Sequence, residues 1–369
     1  MTVRTALIVG GGVAGMAAAI SLRRIGYEVD LVERDPNWRV QGAGITLTGP
    51  TLRAFQALGV LDAVAREAYT GEGIDICAQD GTIVSRLETP TPAGSVVPGS
   101  GGIMRPMLHN ILSQRVRASG AHVRLGASVE SITPDGQAVL TTGESRAYDL
   151  VVGADGIFSK TRKLMFPGGP EPAFTGQVCW RVSAERPPEV VRRRFFLGGP
   201  VKVGLCPVSP DRMYMFLLQS VPEKPPRPLS PHLDLQALLQ GYGGPLARLR
   251  DGLDADSGIA ARPLESFLAP PPWHRGRVIL IGDAAHPATP QLASGAGMAV
   301  EDALVLAEEV GRVTEPETAF SAFMARRYPR ARLVVENSVE IGRLEQAGAP
   351  PAAQTEVVER SLRALAESF

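Results

Sequence analysis

Cysteine and net charge are both scarce in this sequence. Only three cysteines occur in 369 residues, Cys77, Cys179 and Cys206, and they stand far apart. They suggest neither the framework of a disulfide-rich extracellular domain nor a metal-binding cluster, and therefore favour a reducing, cytoplasmic setting without a bound metal. The 38 basic side chains balance 38 acidic ones, which removes the electrostatic reason to expect nucleic acid or an anionic membrane as a partner.

An unbroken hydrophobic run is also missing, although residues 5–22 come close to one. They carry no charge and stand between Arg4 and Arg23, as a signal peptide or a short membrane span would. Glycines at 10–12 and at 15 interrupt the run, however. Residues 6–9 are typical of a buried strand and residues 14–22 of a helix. The segment is therefore interpreted as a strand, a glycine turn and a helix.

The glycine turn has the spacing of a phosphate-binding loop. In Gly10-x-Gly12-x-x-Gly15, the first glycine permits a tight turn, the second lets a pyrophosphate approach the backbone, and the third lets the helix close onto the strand. A second strand, residues 28–32, leads to Glu33, at the distance where an acidic side chain binds the ribose of an adenine dinucleotide. The pattern predicts a dinucleotide site. The alternatives are a glycine turn that binds nothing and a solvated Glu33.

Two more strand-and-turn motifs follow at wide intervals. A buried strand ends in Asp155-Gly156, and a second one, residues 277–281, ends in Gly282-Asp283. After Pro290, the segment 295–298 leads into a helix, because apolar residues recur at helical spacing between positions 300 and 310. We expect this helix to direct its amino end at negative charge on a ligand.

In order and spacing, these motifs resemble the three fingerprints of the single-component FAD-dependent aromatic hydroxylases, the para-hydroxybenzoate hydroxylase-like family. The resemblance covers nearly the whole chain and includes residues 42–45 and 326–331. It implies an α/β fold, in which a Rossmann-like FAD-binding domain carries an inserted mixed β-sheet substrate domain. The FAD-binding domain would comprise residues 1–70, 100–170 and 275–345, and the substrate domain residues 71–99 and 171–274. Residues 346–369 would form a C-terminal helix.

The family's FAD contacts carry over to this chain residue by residue. Asp283 would hold the ribityl chain, Asp155 and Gly156 would serve the pyrophosphate region and the use of nicotinamide, and Arg105 would reach FAD from its helix. The complete set of cofactor-binding residues that the resemblance implies is Gly10, Gly12, Val13, Ala14, Gly15, Glu33, Arg34, Ala43, Gly44, Arg105, Val129, Asp155, Gly156, Asp283, Pro290, Gly295, Ala296, Gly297 and Met298.

The chain departs from the family pattern beside the flavin. Where the family commonly has Pro-x-x-Gly-Gln-Gly, this chain has Pro290-Gln291-Leu292-Ala293-Ser294-Gly295. Gly295 and Gly297 keep the backbone accessible, so we expect FAD to bind with altered fine contacts at its ring.

The middle of the chain is expected to form the substrate pocket. Residues 178–184, 201–208 and 212–221 are typical of strands separated by turns, and would build a second sheet over the flavin. Lys202 faces either solvent or a substrate anion, and Tyr214 belongs either to the core or to the pocket. Both resemble pocket residues of bacterial purine and phenol hydroxylases, and Arg181 offers a carboxylate clamp. These three are the catalytic candidates; no catalytic base is identified, and His286 is interpreted as structural.

The resemblance implies a monooxygenase. NADH or NADPH would reduce FAD without a nucleotide-binding domain of its own, and a flavin C4a-hydroperoxide would pass oxygen from O2 to an electron-rich ring. The expected partners are a small aromatic substrate and O2, with no nucleic acid and no membrane span, in a monomer or homodimer.

Two other activities stay open on the same fold. A flavin-dependent reductase or oxidase would turn over without oxygen insertion, and a non-redox flavin-scaffold protein would shape a secondary metabolite, because fold alone does not determine function. A flavin halogenase is disfavoured, because Trp38, Trp180 and Trp273 are the only tryptophans and form no Trp-x-Trp segment.

Overall fold

The computed structural model describes residues 4–40, 42–89, 99–197 and 199–369. Its strands, in chain order, are β1 (Thr5–Val9), β2 (Glu28–Glu33), β3 (Gly44–Thr48), β4 (Tyr69–Gly71), β5 (Ile74–Cys77), β6 (Ile83–Leu87), β7 (Ser100–Met104), β8 (His122–Leu125), β9 (Val129–Ile132), β10 (Gln137–Leu140), β11 (Ser145–Ala147), β12 (Leu150–Gly153), β13 (Ala173–Glu185), β14 (Arg193–Phe196), β15 (Lys202–Pro207), β16 (Arg212–Ser220), β17 (Ala260–Ser266), β18 (His274–Arg275) and β19 (Val278–Leu280).

The helices connect and cover these strands. In chain order they are α1 (Val13–Arg24), α2 (Gly49–Leu58), α3 (Leu61–Glu67), α4 (Arg105–Ala118), α5 (Lys160–Met165), α6 (Pro231–Leu238), α7 (Pro245–Asp251), α8 (Gly295–Arg312), α9 (Pro316–Gln346) and α10 (Pro351–Ala366). Short 3₁₀ helices at Gly282–Ala284 and Pro290–Leu292 precede α8.

A six-stranded sheet organises the nucleotide-binding part of the molecule, in the order β18-β19-β12-β1-β2-β8. β1 pairs in parallel with β2 and β12, and β12 pairs in parallel with β19. Strands that are buried on both faces need continuous apolar sequence, and residues 6–9 of β1 are accordingly buried throughout. The carboxyl ends of the parallel strands β1, β12 and β19 meet at one edge of the sheet, which brings the three predicted motifs together.

A seven-stranded mixed sheet, in the order β17-β13-β16-β15-β14-β5-β6, lies beside this part. It contains the predicted strands at 178–184, 201–208 and 212–221 as β13, β15 and β16. The helices α6 and α7 follow β16 in the chain. Leucines of these two helices pack on one face of the sheet, against Val203, Leu205 and Met215. The other face is turned towards the nucleotide-binding part.

The two remaining sheets have three strands each. One lies in the order β3-β7-β4 and the other in the order β11-β10-β9. The C-terminal helix begins at Pro351 rather than near position 346, because α9 extends to Gln346 and Gly348 adopts a left-handed conformation with φ 62° between the two helices. Arg53 of α2 donates to the backbone carbonyls of Leu365 and Glu367 and so fixes the end of α10.

The described ranges contain neither a membrane-spanning helix nor a metal-binding cluster. None of the helices there combines the length and the apolar composition that a bilayer crossing requires. No cluster of three His, Cys, Asp or Glu side chains is placed to hold a metal ion in that part of the chain. All three cysteines are buried thiols.

Candidate functional site

The glycine turn between β1 and α1 leaves its backbone open. Gly10 has φ 107°, and a Cβ there would lie 2.5 Å from the carbonyl oxygen of Ala154. A Cβ on Gly15 would lie 1.9 Å from the carbonyl oxygen of Gly10, so the helix closes onto the strand only with glycine. Gly12, by contrast, has no neighbour near its Cβ position and caps α1 without a side-chain hydrogen bond. The first amides of α1, which include those of Val13 and Ala14, therefore face accessible space, as a pyrophosphate requires.

Glu33 lies against this turn. Its carboxylate accepts hydrogen bonds from the backbone N–H of Gly11 at 2.7 Å and of Asp35 at 2.8 Å. Each carboxylate oxygen retains a lone pair for a ribose hydroxyl. Arg34 is exposed beside it. The buried indole of Trp38 donates to the carbonyl oxygen of Gly11 at 2.9 Å and covers the turn, a contact that no feature of the sequence indicated.

The Asp155 carboxylate has a structural role in the adjoining turn. It accepts from the hydroxyl of Ser159 and from the backbone N–H and hydroxyl of Thr161, at 2.9 Å and 3.0 Å. A carboxylate has no donor to offer a phosphate, so any contact of this motif with the cofactor would come from the backbone around Gly156, whose φ is 82°. Arg162 donates to the carbonyl oxygens of Ile157 and Ala284 and thereby ties the Asp155 turn to the Gly282-Asp283 turn.

A buried charged network holds the Gly282-Asp283 turn from behind. The carboxylate of Asp302 accepts from the Gly282 N–H at 2.9 Å, contacts His286 Nε2 at 2.6 Å and accepts from Arg327 Nε at 2.7 Å. Burial alone would raise the pKa of Asp302, but His286 and Arg327 outweigh it and lower that pKa to about 2. Arg327 also donates to Glu301 at 2.7 Å. His286 thus takes part in holding the turn, as interpreted from the sequence.

Asp283 itself projects into the cleft. Its carboxylate makes no hydrogen bond to any residue that the structure describes, so its oxygens remain available to ligand hydroxyls. Asp283 is exposed to solvent in this cleft, and desolvation by the surrounding cleft walls raises its pKa, against the opposing effect of His286 and Arg105. Arg105, the first residue of α4, is exposed in the same cleft near Asp283, Tyr214 and Arg181, and desolvation by the cleft walls lowers its pKa.

The amino end of α8 closes the cleft on the far side. Ser294 precedes the helix without a side-chain cap, and Gly295 has open space at its Cβ position, so the amides of Gly295 and Ala296 are accessible. Gly297 has a different role: a Cβ there would lie 2.5 Å from the hydroxyl of Thr51, so glycine lets α8 pack on α2. Pro290 begins the preceding 3₁₀ helix, and the side chain of Met298 is buried.

The remaining predicted FAD contacts, Ala43, Gly44 and Val129, differ in which of their atoms could reach a cofactor. Ala43 accepts a backbone hydrogen bond from Arg105, at 3.4 Å. Gly44 touches the ring of Tyr214, because a Cβ there would lie 2.2 Å from the ring carbon Cδ1. The side chain of Val129 is fully buried in the core, so this residue can meet a cofactor only through its backbone.

The cleft-facing side of the seven-stranded sheet presents an aromatic surface. Register places Tyr214 opposite Cys206, and places Phe216 opposite Gly204, which lies opposite Phe195 in turn. The rings of Phe195 and Phe216 are 5.9 Å apart and those of Tyr214 and Phe216 are 6.3 Å apart. Gly204 is required beneath them, because a Cβ there would lie 2.2 Å from the Phe216 ring. We call Phe195, Tyr214 and Phe216 the aromatic floor.

The three predicted pocket side chains all lie on this face, in different environments. Tyr214 is buried, and its hydroxyl hydrogen-bonds the hydroxyl of Thr46 at 2.6 Å. Burial raises the pKa of Tyr214 far above its usual value, so this residue stays a protonated phenol. Lys202 forms an ion pair with Glu345 at 2.7 Å, which neutralises the ammonium group. Arg181 is half-buried beside Phe216 and forms no ion pair within the described ranges.

These features suit the parts of a flavin dinucleotide. The open amides beside Gly10 and Gly12 suit its pyrophosphate, the Asp283 carboxylate suits its ribityl hydroxyls, and the open amino end of α8 at Gly295 suits its ring. A family model described as an FAD binding domain matches residues 3–338 of the chain. The protein belongs to this FAD binding domain family. Its cofactor is therefore FAD.

Relatives of this FAD binding domain protein are monooxygenases. The Putative FAD-dependent monooxygenase YetM of Bacillus subtilis is 33% identical over 356 residues, which are 94% of this chain and 95% of YetM. A 2-heptyl-3-hydroxy-4(1H)-quinolone synthase of Pseudomonas aeruginosa is 33% identical over 357 residues, 94% of this chain and 91% of the synthase.

A solved structure, that of 2-methyl-3-hydroxypyridine-5-carboxylic acid oxygenase, superposes with a TM-score of 0.80 at 26% identity and covers 98% of both chains. The α/β fold that the sequence predicted, with a flavin-binding parallel sheet and an adjoining mixed sheet, is confirmed by this likeness.

Several side chains of the site were missed by sequence reasoning. Trp38, Arg193, Asp302, Arg327 and Glu345 reach the site from positions that are remote in sequence. A Glu-Asp pair near the start of a helix and an arginine about 25 positions later are ordinary features of amphipathic helices. Their pairing is visible only when α8 and α9 are packed together.

Proposed function

We propose that this protein is an FAD-dependent monooxygenase that uses NADH or NADPH and O2 to hydroxylate a small aromatic molecule. The observation that carries the proposal is the direct junction of the flavin cleft with the aromatic floor. Gly44, a predicted FAD contact, touches the Tyr214 ring, and Ser183 of the same sheet face lies 3.8 Å from the sulfur of Met104, next to Arg105. An aromatic ring on this floor would lie against the flavin.

This placement gives the nucleotide-binding part and the seven-stranded sheet separate functions. Residues 1–70, 100–170 and 275–345 would hold FAD, and residues 71–99 and 171–274 would supply the substrate surface. Reduced by a nicotinamide, FAD supplies the activation of O2 that lets one oxygen atom enter an aromatic ring. Two relatives of this protein are a quinolone synthase and a hydroxypyridine carboxylic acid oxygenase, and their names support an aromatic substrate for this chain as well.

The protein's own side chains would contribute orientation, charge stabilisation and a dry pocket. The floor of Phe195, Tyr214 and Phe216 fixes the plane of the substrate ring, which raises the fraction of productive encounters. The amino end of α8 places partial positive charge at the flavin ring, where negative charge develops on reduction. Tyr214 keeps its proton and donates or accepts a hydrogen bond rather than serving as a base. Apolar packing around the floor excludes water from the reacting oxygen.

The decisive experiment measures substrate-dependent nicotinamide oxidation by the purified protein. FAD is identified by its visible spectrum, and NADH and NADPH oxidation rates are recorded against phenols, hydroxypyridines, quinolones and aromatic acids. The product of any accelerating compound is then made under ¹⁸O2. One labelled oxygen atom in the product supports the monooxygenase; acceleration without label supports a reductase or oxidase. If FAD is bound but no compound accelerates NADH or NADPH oxidation, the result favours the non-redox scaffold.

Asp283→Ala tests the cofactor site within the same experiment. We expect the variant to purify with less than about one tenth of the wild-type FAD, because hydroxyl contacts to the ribityl chain are lost while the fold is retained. Asp256→Ala serves as the matched control, because Asp256 is exposed and its carboxylate forms no hydrogen bond or ion pair with the described residues. Retention of full FAD content by Asp283→Ala would contradict the assigned ribityl contact.

A further inference from the structure

Arg193 lies on the same face of the seven-stranded sheet as the aromatic floor. Phe195 of β14 stands opposite Gly204 on the cleft side, and residue 193, two positions earlier, shares that side. Its side chain is 92% buried, with 8% of its surface exposed. The guanidinium lies close to Cys206 and Tyr214, at the Tyr214 end of the floor.

The guanidinium of Arg193 has no counter-charge. It forms no ion pair and no side-chain hydrogen bond with any residue in the described ranges, and its Nε is buried without a partner. The residues outside those ranges, 1–3, 41, 90–98 and 198, include no aspartate or glutamate. Its neighbours Arg192 and Arg194 behave differently, since both approach the buried carboxylate of Asp75 within 4 Å.

A buried cation without a counter-ion is unfavourable in the unliganded protein, because charge is removed from water without compensation. Such a group is stabilised when a ligand brings the missing negative charge. Arg181 adds to the positive charge from the opposite side of the floor, since it lies close to Tyr214 and forms no ion pair with the described residues. Lys202 does not contribute in the same way, because Glu345 neutralises it.

We infer that Arg193 binds a carboxylate of the aromatic substrate at the Tyr214 end of the floor, and so selects aromatic acids over their neutral analogues. This inference rests on the proposed function and specifies its substrate class. The names of the relatives leave the charge open, because one names a quinolone and the other a pyridine carboxylic acid. In this chain, the planar guanidinium of Arg193 can donate two parallel hydrogen bonds to one carboxylate.

The test compares aromatic acids with amides of the same shape on the FAD-loaded enzyme. The probes are 4-hydroxybenzoate against 4-hydroxybenzamide, and 4-hydroxyquinoline-3-carboxylate against its carboxamide, titrated by the change in the flavin spectrum. We expect at least one acid to bind about tenfold or more tightly than its amide. Arg193→Gln should remove this preference, because it weakens binding of the acid while the affinity for the amide stays within about threefold of the wild-type value. Arg193→Lys should restore part of the preference.

A second measurement separates ligand binding from a structural role. Arg193→Met should raise the Tm of the unliganded holoenzyme, by about 1–3 °C, because an uncompensated buried charge is removed. Arg194→Met is the matched control on the same strand and should lower the Tm, because it deprives the buried Asp75 of a partner. Equal losses of Tm in both variants would overturn the inference and assign Arg193 a structural role.

The outcomes for the two proposals are distinguishable. The inference about Arg193 is wrong if no acid binds more tightly than its amide. It is also wrong if Arg193→Gln weakens binding of the acid and of the amide equally. Substrate-dependent NADH oxidation and ¹⁸O incorporation with a neutral compound would then still support the monooxygenase. Failure of the protein to take up FAD would instead contradict the proposed function itself.

Discussion

Ala293 adopts a backbone conformation that glycine adopts at lower cost. Its φ is 49° and its ψ is 31°, in the left-handed region, and it stands where the hydroxylase pattern has glycine. A side chain in this region costs an L-residue about 1 kcal/mol or more, because Cβ crowds the following carbonyl oxygen. The turn keeps this conformation because it must pass from Pro290–Leu292 into the amino end of α8. Strain is therefore stored at the amino end of α8, where we propose that the flavin ring binds.

Ala293→Gly should stabilise the protein. We expect a gain of about 0.5–1 kcal/mol, because relief of the left-handed strain exceeds the added entropy of a glycine in the unfolded chain. The free energy of unfolding in urea measures the effect. Ala307→Gly, in the interior of α8, is the control and should destabilise by about 1 kcal/mol. Loss of stability in both variants would contradict the strain at Ala293.

At the residue scale, local geometry was predictable and distant partners were not. The tight turn at Gly10 and the close helix packing at Gly15 follow from the spacing of the glycines, whereas the contact of Gly10 with the carbonyl oxygen of Ala154, at the end of β12, does not. The buried state of Arg193 depends on strands β14, β15 and β16 lying side by side, and no pattern in one strand indicates it. The sequence left Lys202 open between solvent and a substrate anion, and it could not indicate the partner Glu345, which is more than a hundred positions away.

At the scale of elements, α8 and α9 act as one support for the Gly282-Asp283 turn. Asp302 of α8 is the junction, because it contacts the turn, His286 and Arg327 of α9 at once. The sequence predicted the helix from the apolar spacing of residues 300–310, and the structure extends it to Gly295–Arg312. The spacing could not show that Glu301 and Asp302 are buried, because charged residues on a helix are normally exposed.

Asp302→Asn should weaken both the fold and the cofactor site. Removal of one charge from a buried network leaves Arg327 undercompensated, and we expect a loss of about 3 kcal/mol in the free energy of unfolding. FAD should bind more weakly, because the Gly282-Asp283 turn loses its anchor. Urea unfolding and FAD titration of the apoprotein measure the two effects. Asp256→Asn, on the exposed surface, should change neither.

The acid dependence of stability tests the same junction. The pKa of Asp302 is about 2 in the folded protein, below the value of about 3.9 in an unfolded chain. Its ionised form therefore stabilises the fold above about pH 4, and this contribution, about 2–3 kcal/mol, is lost as the pH falls towards 2. Stability of the wild type should thus decline more steeply between pH 4 and pH 2 than that of Asp302→Asn. Parallel curves would contradict the lowered pKa.

At the scale of the whole molecule, a buried polar cluster joins the substrate sheet to the nucleotide-binding part. Glu345 of α9 accepts from Lys202 of β15 at 2.7 Å and from Gln177 of β13 at 3.0 Å. Gln291, beside the flavin site, donates to Gln177 at 2.8 Å. Through its family resemblance, the sequence implied an FAD-binding domain and a substrate domain. It could not indicate which side chains connect them, because the four residues lie on four separate elements.

The ion pair at the centre of this cluster should carry a measurable coupling between the two parts. In a double-mutant cycle of Lys202→Met and Glu345→Leu, each single change leaves one buried charge unpaired, whereas the double change leaves none. We therefore expect a coupling of about 1–3 kcal/mol in the free energy of unfolding. The exposed pair Arg332 and Glu336, one helical turn apart on α9, is the control and should couple by less than about 0.5 kcal/mol. Equal couplings in the two cycles would mean that the Lys202–Glu345 contact is no stronger than a surface pair and does not hold the two parts of the molecule together.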